Sequence, residues 1–192
     1  MSEVGWEEAR RALLAVENPH DRRAMFAAWL SEHRDAKRMR PVVVGGHALE
    51  THTSREYRTG DLDLIVADAA AEAKVLRDCG FDHAQRVWWH AELGLAVDLI
   101  EQDLAGDWRK LVEVETPLGV FRVLGPEDII IDRLNSAVHW QAADDLTWVA
   151  AVMRQQPDLD WDYLERRARE ELVLDAFNQV REQVAGYEAD QA

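Results

Sequence analysis

The chain has 192 residues, 47% of them apolar and eight of them tryptophan, enough for one domain, or a small domain with a helical extension. Its 22 basic and 37 acidic residues leave a net charge of −15, the wrong sign for general, backbone-driven binding to nucleic acid. No apolar run reaches the roughly 20 residues of a membrane span, the amino-terminal residues lack a signal-peptide pattern, and Cys79, the only cysteine, excludes an internal disulfide and a cysteine-built zinc site, so a cytoplasmic protein is expected.

Apolar positions at helical spacing predict helices over 6–16 (Trp6, Ala9, Leu13, Leu14) and about 20–35 (Met25, Phe26, Trp29, Leu30). Asn18 is a fitting cap for the second, with Pro19 in its first turn. The basic residues Arg34, Lys37, Arg38 and Arg40 read either as a solvated helix end or as a local seat for a structured RNA end. Pro41-Val42-Val43-Val44 is β-branched and stops at Gly45-Gly46, as a buried strand should. A short helix from His47 to about Ser54 follows, then a strand over Leu62–Ala67. Asp68 caps a helix over Ala69–Asp78 that Gly80 closes.

Strands are predicted over Ala84–His90 and Gly94–Ile100, joined by the turn Glu92-Leu93-Gly94. A hairpin follows, with Leu111–Glu115 and Val120–Leu124 turning at Pro117-Leu118-Gly119. Beyond Gly125-Pro126 the pattern is helical, near 126–138, 141–154, 158–170 and 171–187. The fold class is therefore α/β (α+β). It divides into an N-terminal helical segment (1–40), an α/β core (41–125) and a C-terminal helical region (126–192). Trp140, Trp148 and Trp161 are expected in the helical core. Trp88 and Trp89 face opposite ways on a strand, so at most one can stack on a ligand ring, the other use being core or hairpin packing.

The run Thr59-Gly60-Asp61-Leu62-Asp63-Leu64-Ile65-Val66 carries the chemistry. Strand alternation turns Asp61 and Asp63 to one face and Leu62 and Leu64 to the other. Neighbouring carboxylates repel unless a cation or a shared proton intervenes, so the pair reads as a divalent-metal site. Asp98, flanked by Val97 and Leu99 in an apolar strand, is the natural third ligand. Two-metal phosphoryl chemistry asks for such a set, with phosphate oxygens filling the remaining magnesium positions. Gly45-Gly46 supplies a strand-to-helix turn whose backbone N–H groups can face an anion. His47 and His52, five apart on a helix, do not make a zinc pair. No Walker loop, dinucleotide fingerprint or Gly-x-Ser-x-Gly elbow occurs.

Between about Pro41 and Met153 the chain resembles the nucleotidyltransferase superfamily that includes DNA polymerase beta, in its small bacterial branch of toxin–antitoxin-type and antibiotic nucleotidyltransferases. The matching residues are Val42-Val43-Val44-Gly45-Gly46-His47-Ala48-Leu49, Arg58-Thr59-Gly60-Asp61-Leu62-Asp63-Leu64, Val97-Asp98-Leu99-Ile100 and the helix Leu124–Leu134. The resemblance implies a mixed β-sheet flanked by helices. It also implies magnesium (or manganese) on Asp61, Asp63 and Asp98, and transfer of a nucleoside monophosphate from an NTP to an acceptor hydroxyl on a small molecule, protein or tRNA. Gly45, Gly46 and Thr59 would line the triphosphate.

This chain has His47 where many relatives carry serine, and phosphate contact or packing are its two readings. Tyr57 stands where an arginine is common, with Arg55 or Arg58 as substitutes. Arg133 replaces a common lysine, either to meet phosphates or to pair with Glu127 or Asp132. The His47 and Tyr57 departures also motivate a second function, a catalytically inactive member of the fold that binds a partner protein such as a cognate antitoxin.

Overall fold

The computed structural model describes residues 4–33 and 39–191. Of the basic cluster, Arg34, Lys37 and Arg38 lie outside the described residues, while Arg40 reaches Glu32 at 3.4 Å. The chain begins with α1 (Trp6–Leu14) and α2 (Pro19–Glu32), followed by β1 (Val42–Val44), α3 (Gly45–His52), β2 (Leu62–Ile65) and α4 (Ala69–Asp78). Strands β3 (Asp82–Ala84), β4 (Val87–His90) and β5 (Leu95–Ile100) come next, then a 3-10 turn at Trp108–Lys110 and the hairpin β6 (Val112–Thr116) and β7 (Gly119–Val123). Helices α5 (Pro126–His139), α6 (Asp145–Gln155), α7 (Trp161–Glu170) and α8 (Leu174–Gln191) complete it. Among the described residues no helix is long and apolar enough to cross a membrane.

The strands form one mixed sheet in the order β3-β4-β5-β2-β1-β7-β6. β1 runs antiparallel to β2 and parallel to β7, and β2 runs parallel to β5. A parallel neighbour needs a crossover, which α4 and the β3–β4 hairpin provide. Helix α2 packs on β7 and β6, and α4 on β5. One buried cluster draws residues from α1 through α8, including Leu13, Phe26, Leu62, Val97, Ile129 and Phe177. Each such fully buried side chain contributes about 1.5–3 kcal/mol.

Local signals explain the helix starts. The Asn18 side chain accepts from His20 N–H at 2.9 Å with Pro19 at the first position, and Asp68 accepts from Ala71 N–H at 2.9 Å. Two expectations fail. The predicted strand Ala84–His90 is broken into β3 and β4 by a turn at Gln85-Arg86, where Gln85 takes φ +58 without a glycine or asparagine to announce it. Trp140 does not enter the core: it caps α5, and the chain reverses at Gln141 (φ +59), leaving the indole 80% exposed. Trp148 and Trp161 are half-buried, packed on Tyr57 and Phe177.

Candidate active site

Along β2, Leu62 and Leu64 are fully buried, while Asp61 and Asp63 on the opposite face keep partial access to solvent. Asp63 lies directly across the parallel ladder from Asp98 of β5, one strand spacing of about 4.8 Å away. The three aspartates therefore share one face at adjoining positions. Their crowding has an electrostatic cost. Burial, then the neighbouring Asp61 and Asp98 charges, push the Asp63 carboxyl up to about 6, against the opposing pull of the Gly46 N–H hydrogen bond and of Arg133.

The diglycine is shaped around these acids. Gly45 adopts φ +59, and a Cβ there would lie 2.3 Å from Asp63 Oδ2. A Cβ on Gly46 would lie 2.7 Å from Thr59 Oγ1. Thr59 in turn donates its hydroxyl to Asp61 Oδ1 at 2.6 Å. Helix α3 thus begins against β2 with no space for a side chain between them, which brings Gly45, Gly46, Thr59, Asp61 and Asp63 into one constellation.

No protein-family model matches this chain, and no curated protein matches it. The geometry must carry the functional reading.

Cations border the carboxylates. Arg86, in the β3–β4 turn, donates to Asp98 Oδ2 at 2.7 Å from a side chain that is 84% exposed. The spacing of a Gln-Arg turn gives no sign of this pairing in the sequence. Arg133 of α5 is held by Asp132 and lies 3.6 Å from Asp145 at the start of α6, close enough to influence Asp63. Arg58 is exposed and has no ion pair among the described residues; it lines a cavity of about 200 Å³ with His20, Arg23, Glu50, Arg55 and Thr59. Arg55 is tied to Asp21 at 2.6 Å and takes φ +71, next to Ser54 at φ +47. Two successive non-glycine residues in the left-handed region store backbone strain to hold this loop. A second space, a cleft of about 670 Å³, opens at Asp98 on the other side.

His47 does not join the site. Its ring is fully buried and points toward α2, where Arg23 Nε donates to Nδ1 at 3.2 Å. The tight α3 start turns the first helical face inward, so a residue directly after Gly46 is carried away from the carboxylates. Burial pulls the imidazole down to about 4 and keeps it neutral. His20, His47 and Glu50 have ligand atoms within 4.8 Å of one another, a spacing that could serve a metal. Arg23 fills that role instead: its guanidinium donates to Glu50 Oε2 at 2.7 Å as well as to His47. Burial raises the Glu50 carboxyl, but the close polar contacts with His47 and Arg23 and the Arg23 charge outweigh it and hold it at about 2. The His47–Glu50 i,i+3 spacing was visible in the sequence; its pairing with His20 and Arg23 of α2 was not. His52 is likewise buried, bonded through Nε2 to Leu124 O at 2.7 Å.

Proposed function

We propose that this chain is a metal-dependent nucleotidyltransferase. The single observation that carries this reading is the ladder pairing of Asp63 with Asp98, with Asp61 two residues back on the same face and Gly45 pressed against Asp63. The donor set fits magnesium or manganese: three carboxylates on one face, with Asp63 kept from ionising freely by burial and by the other two. Asp61, Asp63 and Asp98 would hold the ions, which supply positive charge to the transferring phosphoryl group and acidity to an acceptor hydroxyl.

The chain's own residues do the rest. The Gly46 N–H fixes the Asp63 carboxylate. The Thr59 hydroxyl, bonded to Asp61, orients that second acid. In the neighbouring cavity Arg23 and Arg55 are engaged by Glu50 and Asp21, while Arg58, with no ion pair among the described residues, is the guanidinium that would give an NTP's terminal phosphates charge-assisted hydrogen bonds. Asp98, at the mouth of the larger cleft, faces the acceptor side. Rate enhancement would come mainly from positioning and fixed charge. A non-catalytic, partner-binding protein is the second reading, and the guanidinium of Arg86 lying on Asp98 is the observation in its favour.

The test is to incubate the protein with each α-labelled NTP, magnesium and a cell extract, and to ask whether RNA, protein or small molecule takes the label. Asp63→Ala should abolish transfer and magnesium-dependent NTP binding while the far-ultraviolet dichroism stays unchanged. Transfer at the wild-type rate by Asp63→Ala would end the catalytic assignment; no heat with any Mg-NTP, alongside a tightly held protein partner, would favour the second reading.

A further inference from the structure

The cleft at Asp98 exists because the β3–β4 hairpin is short. β4 pairs with β5 only from Leu95 to Asp98, so Leu99 and Ile100 have no strand beside them on that side. The gap is walled by Ala70 and Ala73 of α4 and by His83, Arg86 and Trp88 of the hairpin, with Asp98 opening into it. Its volume of about 670 Å³ falls in the range of roughly 300–1,000 Å³ typical of small-molecule sites. One wall is apolar and short-chained. Opposite it, His83 stacks on Trp88 with ring centroids 4.4 Å apart, a flat aromatic surface.

The cationic component is Arg86. Its only ion-pair partner among the described residues is Asp98, and its guanidinium is otherwise in solvent. If Asp98 turns its oxygens to a metal ion, Arg86 is left as a cation at the cleft without a partner. An anionic group on the occupant then satisfies it. A long polyanion suits the place poorly: Asp68 and Glu101 border the mouth, capping α4 through Ala71 N–H and Ala69 N–H, within a chain of net charge −15.

Resting on the nucleotidyltransferase reading, the geometry points to a small hydroxyl-bearing acid as the acceptor, its carboxylate or phosphate held by Arg86 and its hydroxyl presented at Asp98. The acceptor oxygen forms a bond to the α-phosphorus of the NTP. The bond from that phosphorus to the bridging oxygen breaks, and pyrophosphate leaves with the electron pair. The hydroxyl proton passes to a water molecule at the open mouth of the cleft and on to solvent. Arg86 is then the residue that selects acids over amines.

The experiment uses the full chain with magnesium and a non-hydrolysable NTP analogue. Binding is followed by ligand-observed NMR for 4-hydroxyphenylacetate, ribose 5-phosphate, tyramine and a single-stranded RNA oligonucleotide. The first two distinguish a carboxylate from a phosphate source. At least one acid should bind in preference to tyramine, and Arg86→Ala should weaken it about tenfold or more. Arg86→Glu should reverse the preference toward tyramine; both substitutions take the partner from Asp98, whose side chain is only 11% exposed, so far-ultraviolet dichroism and thermal melts establish that each variant is folded before its binding is read. Equal binding of acid and amine, tighter binding of the RNA, an unreversed preference in Arg86→Glu, or no binding of either acid at millimolar concentration would each overturn the inference. Mg-NTP binding is measured separately by calorimetry, so loss of the nucleotidyltransferase reading and loss of the acid-selective cleft give different results.

Discussion

Replacing Asp63 by asparagine should make the metal-free protein more stable at neutral pH. The Asp63 carboxyl is raised from its ordinary 3.8 to about 6 in the folded state by burial and by Asp61 and Asp98. The folded state thus holds this proton more tightly than the unfolded chain does. Stability contributed by the protonated group is full below about pH 3.8 and is lost as pH rises through about 6. Above that, the ionised carboxylate costs the fold at most about 3 kcal/mol, and solvent screening at a partly open site reduces this to about 1–2 kcal/mol. Asparagine is neutral and retains an oxygen for the Gly46 N–H, so it removes the repulsion without removing the hydrogen bond.

Urea denaturation in EDTA should show Asp63→Asn more stable than wild type by about 1–2 kcal/mol near pH 7.5 and nearly equal to it near pH 4. Magnesium should invert the order, since an ion at a hundred times its dissociation constant adds about 2.7 kcal/mol to the protein that binds it. A variant less stable than wild type at pH 7.5 without metal, or a gain independent of pH, would refute the claim that these three acids crowd one another.

Gly45→Ala should destabilise the protein by about 1–3 kcal/mol from the left-handed φ alone, and the methyl group aimed at Asp63 should also weaken Mg-NTP affinity; thermal melts and calorimetry read the two effects separately. His47→Ala should cost about 2–4 kcal/mol in stability, because it leaves the Arg23–Glu50 pair beside a cavity, while NTP affinity per folded molecule stays the same; a selective loss of NTP binding would restore His47 to the site. His47, lowered from 6.5 to about 4, takes up its proton more readily when unfolded, so stability should fall as pH drops from about 6.5 toward 4, opposite in sign to Asp63. Comparing His47→Ala with wild type across that interval isolates this slope, which should flatten in the variant.

Much of the architecture was legible because it depends on nearest neighbours in the chain. The caps at Asn18 and Asp68, the diglycine turn and the Leu62/Asp63 alternation are all set by residues within a few positions of one another. The aspartates' common face follows from the period of two along a strand. Other features have no local signal. The Gln85-Arg86 turn uses residues with no turn preference, and it determines both where β4 begins and where the cleft opens. Trp140 looks like the other helical tryptophans, yet the reversal at Gln141 leaves it outside the core.

What the sequence determined by itself is the acid-bearing face of β2, the presence of a third acidic strand and the glycine pair that lets a helix start against them. What only the tertiary structure decided is which strands became neighbours: the register that sets Asp63 beside Asp98, the helix packing that turned His47 to Arg23, and the short hairpin that left Arg86 over Asp98. Periodicity and turn chemistry act over a few residues and are written in order along the chain. Register and burial depend on side chains far apart in sequence, whose meeting is settled only when the whole core closes.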